Sequence, residues 1–148
     1  MDQLSDRLRA LLDANTVGVL ATVAPDGKPR QSLVYFARDE QRLLISTLTD
    51  RLKARDARRT GWASLCAMGH EPPFPSATFS GPANIVTEEI GRPTAMIAQR
   101  ITGSSEPPEA MSDEALAAAG RVILAIGIER VTAASHIPEA ADAHDAGG

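Results

Sequence analysis

The sequence predicts a mainly β fold, a small six-stranded antiparallel barrel with helical trimmings. Six β-rich runs are separated by short turn signals, which favours consecutive antiparallel strands. Helical character is confined to a few short stretches. A hydrophobic fraction of 43% in 148 residues is enough to bury one core without staples.

The elements follow in order. Leu4, Leu8, Leu11 and Leu12 recur at helical spacing with charged residues between them, so an opening helix lays one face on the body. Asn15-Thr16 ends it, and Val17 to Val23 forms the first strand. Ala24-Pro25-Asp26-Gly27-Lys28 is a turn, because Pro presets φ and Asp-Gly tolerates positive φ. The second strand runs from about Pro29 to Ala37, alternating Gln31, Leu33 and Tyr35 on one face with Ser32, Val34 and Phe36 on the other. Arg38 to Gln41 turns the chain into the third strand, Arg42 to Thr47. Trp62 to Met68 is the fourth, followed by a proline-studded loop from Gly69 to Pro75. Ser76 to Val86 is the fifth, where Gly81-Pro82 suggests a bulge or bend. Glu88 to Gly120 reads as two helical pieces interrupted by Thr102 to Pro108, and Arg121 to Val131 closes as the sixth strand. Residues 1–137 then form one domain, and 138–148, with nothing to bury, form a disordered tail.

Composition removes several function classes. One cysteine, Cys66, excludes a disulfide framework within the monomer, and no Cys/His cluster has metal-ligand spacing. No apolar stretch approaches the ~20 residues of a membrane span. The acidic start, Met1-Asp2-Gln3-Leu4-Ser5-Asp6, lacks the form of a signal peptide, so a cytoplasmic location is expected. A formal charge of −4 and an aromatic content of 3% argue against a nucleic-acid module.

Charge is nevertheless concentrated. Arg51-Leu52-Lys53-Ala54-Arg55-Asp56-Ala57-Arg58-Arg59 holds five of the fifteen basic residues against one acid, a local +4 that leaves −8 for the rest. It follows Leu43-Leu44-Ile45 and a hydroxyl turn, Ser46-Thr47-Leu48-Thr49-Asp50. Strand, hydroxyl turn and basic helix start can hold a phosphate, because free N–H groups and the helix dipole attract an anion that Arg and Lys neutralise. The alternative is a solvated helix face with its bases in water.

Gly18-Val19-Leu20-Ala21-Thr22, Asp26-Gly27-Lys28-Pro29, Ser32-Leu33-Val34, Leu43-Leu44-Ile45-Ser46-Thr47 and Arg51-x-Lys53-x-Arg55 occur in an order that resembles the pyridoxamine-phosphate-oxidase-like split β-barrel superfamily. The likeness is nearest to its deazaflavin (coenzyme F420)-dependent branch, and runs from about residue 8 to about residue 132. The resemblance implies a homodimer of split barrels with flavin-type sites at the subunit interface. By that likeness Ser46, Thr47, Thr49, Arg51 and Lys53 hold the cofactor's phosphate, and Ser32 contacts its sugar-like chain or ring edge. Phe74 from the partner subunit borders the ring, and Arg55 pairs with a polyglutamate tail, as guanidinium suits carboxylates. Three positions depart from the branch, one of them Ala57, which replaces the usual Leu. Asp56 stands where Asn is usual and needs Arg55 or Arg59 to neutralise it, and Ser80 stands where many relatives have Arg.

The implied function is an F420-dependent oxidoreductase passing hydride to or from an unsaturated or conjugated small molecule. The cofactor carries the redox chemistry and the protein orients it, consistent with the lack of a Ser/His/Asp set or a carboxylate pair in a motif. Tyr35 is a proton-donor candidate if it faces the cavity, against a packing role. FMN on the same barrel is the second reading. F420 needs a longer basic groove, to which Arg55, Arg58 and Arg59 would contribute. A non-catalytic cofactor- or tetrapyrrole-binding protein is the third.

Overall fold

A computed structural model describes residues 3–104 and 111–138. The chain runs α1 (Asp6–Ala14), β1 (Val17–Val23), β2 (Pro29–Tyr35), β3 (Ala37–Asp39), β4 (Arg42–Leu48), α2 (Leu52–Thr60), β5 (Trp62–Met68), β6 (Ser76–Val86), α3 (Gly91–Thr102), α4 (Asp113–Ala118), β7 (Arg121–Gly127) and β8 (Arg130–Ser135). All strand pairings are antiparallel. The order across the sheet is β2-β1-β5-β6-β7-β4-β3, with β8 on the remaining edge of β6.

Among the described residues, eight strands replace the expected six because two long runs break. At Phe36 the chain leaves β2, gives its N–H to Thr16 O at 3.0 Å and buries its ring in the core before β3 begins. The closing run breaks at Ile128 and Glu129, whose N–H groups turn aside to Gln41 O and Ser80 O. A buried side chain or a diverted N–H ends a ladder, and neither is visible in period-two alternation. The expected tail, beyond Pro138, and residues 105–108 of the expected Thr102 to Pro108 break lie outside the described residues.

Strand β6 makes the barrel split. Its first part, Ser76 to Pro82, pairs with β5, and its last part, Ala83 to Val86, pairs with β7. The change of partner falls at Gly81-Pro82. A Cβ at Gly81 would lie 1.7 Å from Gly127 O, so only glycine lets the two strand backbones approach this closely. The expected bend therefore exists, as a transfer from one half-sheet to the other.

The interior packs Leu20, Phe36, Leu43, Ile45, Leu65, Phe79, Leu124 and Ile126 around one core. A second cluster, Leu44, Ile90, Ile97 and Ile123 with Ala37 and Ala125, joins the outer face of β4 and β7 to α3. Arg100 fastens α3 to the body. Its guanidinium donates to Phe36 O at 3.1 Å and to Leu12 O and Asp13 O at 3.2 Å, and also reaches Asn15 O. Three of those carbonyls belong to the C-terminal end of α1, where helix carbonyls lack intrahelical partners. No helix among the described residues is long and apolar enough to cross a membrane.

Candidate functional site

Strand β2 is the free edge of the first half-sheet, and β4 lies in the second. The two approach each other without pairing. Along this seam two cavities open. The larger, about 460 Å³, is bounded by Tyr35 on β2, Ser46 on β4, Lys53 on α2, Arg121 on β7, and an apolar wall including Ile97 and Ile101 of α3. The smaller, about 230 Å³, is bounded by Arg30, Gln31 and Ser32 of β2, Thr22 of β1, and Arg51 to Lys53 at the start of α2. Lys53 lines both, and no carboxylate among the described residues lines either. A still larger cavity of about 760 Å³, between α3 and α4, is lined by Arg92, Gln99 and Asp113 among others and contains no residue expected at the site.

Local sequence explains the positioning of α2. Arg51 occupies its N-cap with extended backbone and makes no capping side-chain bond, leaving first-turn N–H groups unsatisfied by a cap. Gly61 ends the helix with φ 68°, the left-handed conformation that glycine tolerates. Between these ends, Ala54 and Ala57 face the barrel and are fully buried.

Asp56 is buried with them, 1% exposed. Its Oδ2 accepts from Thr22 Oγ1 and Arg30 Nε, both at 2.9 Å, and its Oδ1 accepts from Arg59 Nη1 at 3.1 Å and Arg30 Nη2 at 3.4 Å. Burial pushes its carboxyl up, but the hydrogen bonds from Thr22, Arg59 and Arg30 outweigh that and hold it below the usual carboxylate range. Asp56 thus points away from the basic face and pins α2 to β1 and β2. Arg59 neutralises it as expected, Arg55 does not, and Arg30 was not foreseen.

The expected site residues separate into three groups. Ser32, Arg51 and Lys53 line the smaller cavity, and Lys53 and Ser46 line the larger. Thr47 and Thr49 line neither. Thr47 is buried beside Leu43 and Ile45 on the interior face of β4, because alternation puts it opposite Ser46. Thr49 receives Arg58 twice, at its carbonyl and its hydroxyl. Arg55 is exposed on α2 outside both cavities. Phe74 is 55% exposed in the Gly69 to Pro75 loop with φ 55°, a strained backbone for an aromatic residue, and meets neither cavity within its own chain. Ser80 lies in the β6–β8 ladder opposite Arg130.

Three residues of the site carried no signal in the linear pattern. Arg30 and Arg121 are cations brought to the seam by strand register. Thr94, on α3, lines the larger cavity, and its hydroxyl is the one buried side-chain polar group without a partner among the described residues. Arg58 and Arg59, counted above toward a longer basic groove, are instead engaged by Thr49, Asp56 and Val23.

The chain folds as a split barrel with a basic seam at a half-sheet edge, and it belongs to the pyridoxamine 5'-phosphate oxidase family, whose model matches residues 4–134. Among solved structures, an F420 reductase is 26% identical with a TM-score of 0.67, covering 84% of this chain and 94% of that one. A FAD-binding protein from Mesorhizobium loti is 25% identical with a TM-score of 0.63, covering 88% and 94%. A FAD- and haem-binding protein from Mycobacterium smegmatis shares the fold at 22% identity and a TM-score of 0.69, covering 99% and 79%.

Proposed function

We propose that the protein is a deazaflavin-dependent oxidoreductase that transfers hydride between reduced F420 and an unsaturated or conjugated small molecule, with the cofactor lying along the β2–β4 seam. The observation that carries this reading is Lys53, which stands between a basic cavity and a larger one walled by apolar helix residues, with no carboxylate of the described residues on either wall. That division matches a ligand with a flat apolar ring and an anionic tail. The unpartnered Thr94 hydroxyl at the larger cavity also suits a ligand with ring carbonyls or nitrogens.

When bound, F420 supplies a ring that carries hydride, so the protein needs no nucleophile of its own. Arg51 and Lys53 neutralise the phosphate, with the first-turn N–H groups of α2 as donors. Ser32 and Ser46 orient the polar chain. The apolar face of α3 excludes water from the ring, and Tyr35, at the rim of the larger cavity, can hold a proton on its phenol oxygen. Arg121, whose guanidinium has no hydrogen-bonding partner among the described residues, supplies a further cation for an acidic tail. A homodimer completes the site. Leu33 is 73% and Tyr35 48% exposed on the unpaired edge strand β2, surface that an isolated barrel would leave in water, and Phe74 would reach the partner's cavity.

Titration of the purified protein with F420 and with FMN, followed by quenching of ligand fluorescence, tests the reading. Tighter binding of F420 supports it. Preference for FMN makes the protein a flavin oxidoreductase on the same barrel, and binding of neither overturns the cofactor assignment.

A further inference from the structure

We propose that Arg30 is a phosphate ligand of the smaller cavity, oriented for that purpose by the buried carboxylate of Asp56. The inference rests on the cofactor reading above and adds to it a residue outside the basic segment.

Arg30 does more than satisfy Asp56. Each carboxylate oxygen already accepts one bond without it, Oδ1 from Arg59 Nη1 at 3.1 Å and Oδ2 from Thr22 Oγ1 at 2.9 Å. Burial of Asp56 therefore does not require a second guanidinium. Geometry points the other way, with Asp56 holding Arg30. The carboxylate engages the Nε and Nη2 edge of Arg30 at 2.9 and 3.4 Å, which fixes the guanidinium plane. Nη1 has no partner among the described residues, and the second fork, between Nη1 and Nη2, is left for a ligand. The Arg30 side chain is 33% exposed and lines the smaller cavity with Arg51 and Lys53.

Charge supports the assignment. Asp56 can offset only one of its two arginines, and Arg51 and Lys53 have no acidic partner among the described residues. Several like charges converge on a small cavity with no carboxylate of the described residues on its wall, which favours an arriving anion. A planar fork held at a fixed angle also discriminates. It recognises the paired oxygens of a phosphate, whether a phosphomonoester such as FMN or the phosphodiester of F420.

The experiment pairs each cofactor with its unphosphorylated counterpart: FMN with riboflavin, and F420 with the ribityl deazaflavin lacking phosphate. Wild type and Arg30→Gln are titrated with all four by fluorescence, with thermal unfolding in parallel. Arg30→Gln is expected to bind the phosphorylated ligand about 10-fold more weakly while its affinity for the unphosphorylated one stays within about 2-fold. Whichever pair discriminates identifies the phosphate's source. Equal weakening of both members overturns the proposal and leaves Arg30 a structural brace, and unchanged affinity for both also overturns it. Wild type that does not distinguish the members of either pair overturns the phosphate reading itself. Should Arg30→Gln fail to fold, Arg30→Lys replaces it. Lysine keeps the charge beside Asp56 but cannot present two forks, so selective loss of phosphorylated ligand is still expected.

Discussion

Arg58 grips Thr49 twice, donating from Nη1 to the carbonyl at 2.7 Å and from Nη2 to the hydroxyl at 2.5 Å. The bond pair closes the turn between β4 and α2 and occupies the Thr49 hydroxyl. Thr49 and Arg58 therefore shape the approach to the site, whereas Lys53 projects into it.

This contrast gives the first prediction. Lys53→Ala should weaken binding of the phosphorylated cofactor by ~10-fold or more, since a charge-assisted phosphate bond contributes about 1.5–3 kcal/mol. Thr49→Val should change that affinity by less than about 3-fold while losing about 1 kcal/mol of stability with one hydrogen bond. Fluorescence titration alongside urea unfolding measures both. Equal losses of affinity would remove the distinction.

Asp56 sets the acid limb of stability. Its folded carboxyl titrates below the ordinary value of about 3.9. Its contribution is thus fully present above about pH 4 and is lost as pH falls through the lower folded value. Asp56→Asn should reduce stability at neutral pH by about 1–3 kcal/mol, less than a fully enclosed pair because water reaches both arginines. The variant should also show a shallower fall below pH 4. Denaturant unfolding at a series of pH values reads both effects, and an unchanged acid limb would contradict the assignment.

Arg100 is a stability residue remote from chemistry. Arg100→Met keeps an unbranched apolar stem but removes the guanidinium, which lies 5.9 Å from the Phe36 ring centroid and serves four carbonyls as donor. A loss of about 2–3 kcal/mol is expected, as for charged hydrogen bonds. Calorimetry should place Tm lower by roughly 5–10 °C for a chain of this size. A change within 1 °C would show that water serves those carbonyls equally well.

Gly81→Ala should be among the most damaging single-methyl changes available. The added Cβ meets a backbone carbonyl at 1.7 Å, and backbone cannot step aside as a flexible side chain can. The overpacking cost is about 1–3 kcal/mol or more. Gly27→Ala offers a control, because a Cβ there meets nothing within 4 Å and only its φ of 86° is penalised. Comparable melting temperatures for the two variants would refute the close-approach argument.

The edge of β2 yields a prediction about assembly. Leu33→Glu places a charge on an apolar residue that is 73% exposed in the isolated chain. If the β2 edge is the dimer face, wild type sediments as a dimer and the variant as a monomer at micromolar concentration. A monomeric wild type would defeat the shared-site arrangement.

Much of this protein was legible in its linear order. Leucine spacing placed α1, and Pro25-Asp26-Gly27 placed the turn between β1 and β2, because helix periodicity and turn chemistry are local properties. The ordered motifs pointed to the right family, and the run of bases marked the segment that forms α2. Lys53, Arg51, Ser32 and Ser46 line the two seam cavities. What a linear pattern could not contain was the pairing of residues distant in sequence. Register alone turned Thr47 inward and Ser46 outward, and the α2–β4 turn engaged Arg58 with Thr49. Asp56, which looked like a charge in the wrong place, became the anchor of α2 once β1 and β2 brought Thr22 and Arg30 against it. Local propensity acts over a few residues. Whether a charge stabilises or repels depends on which distant groups the fold delivers to within about 3 Å of it.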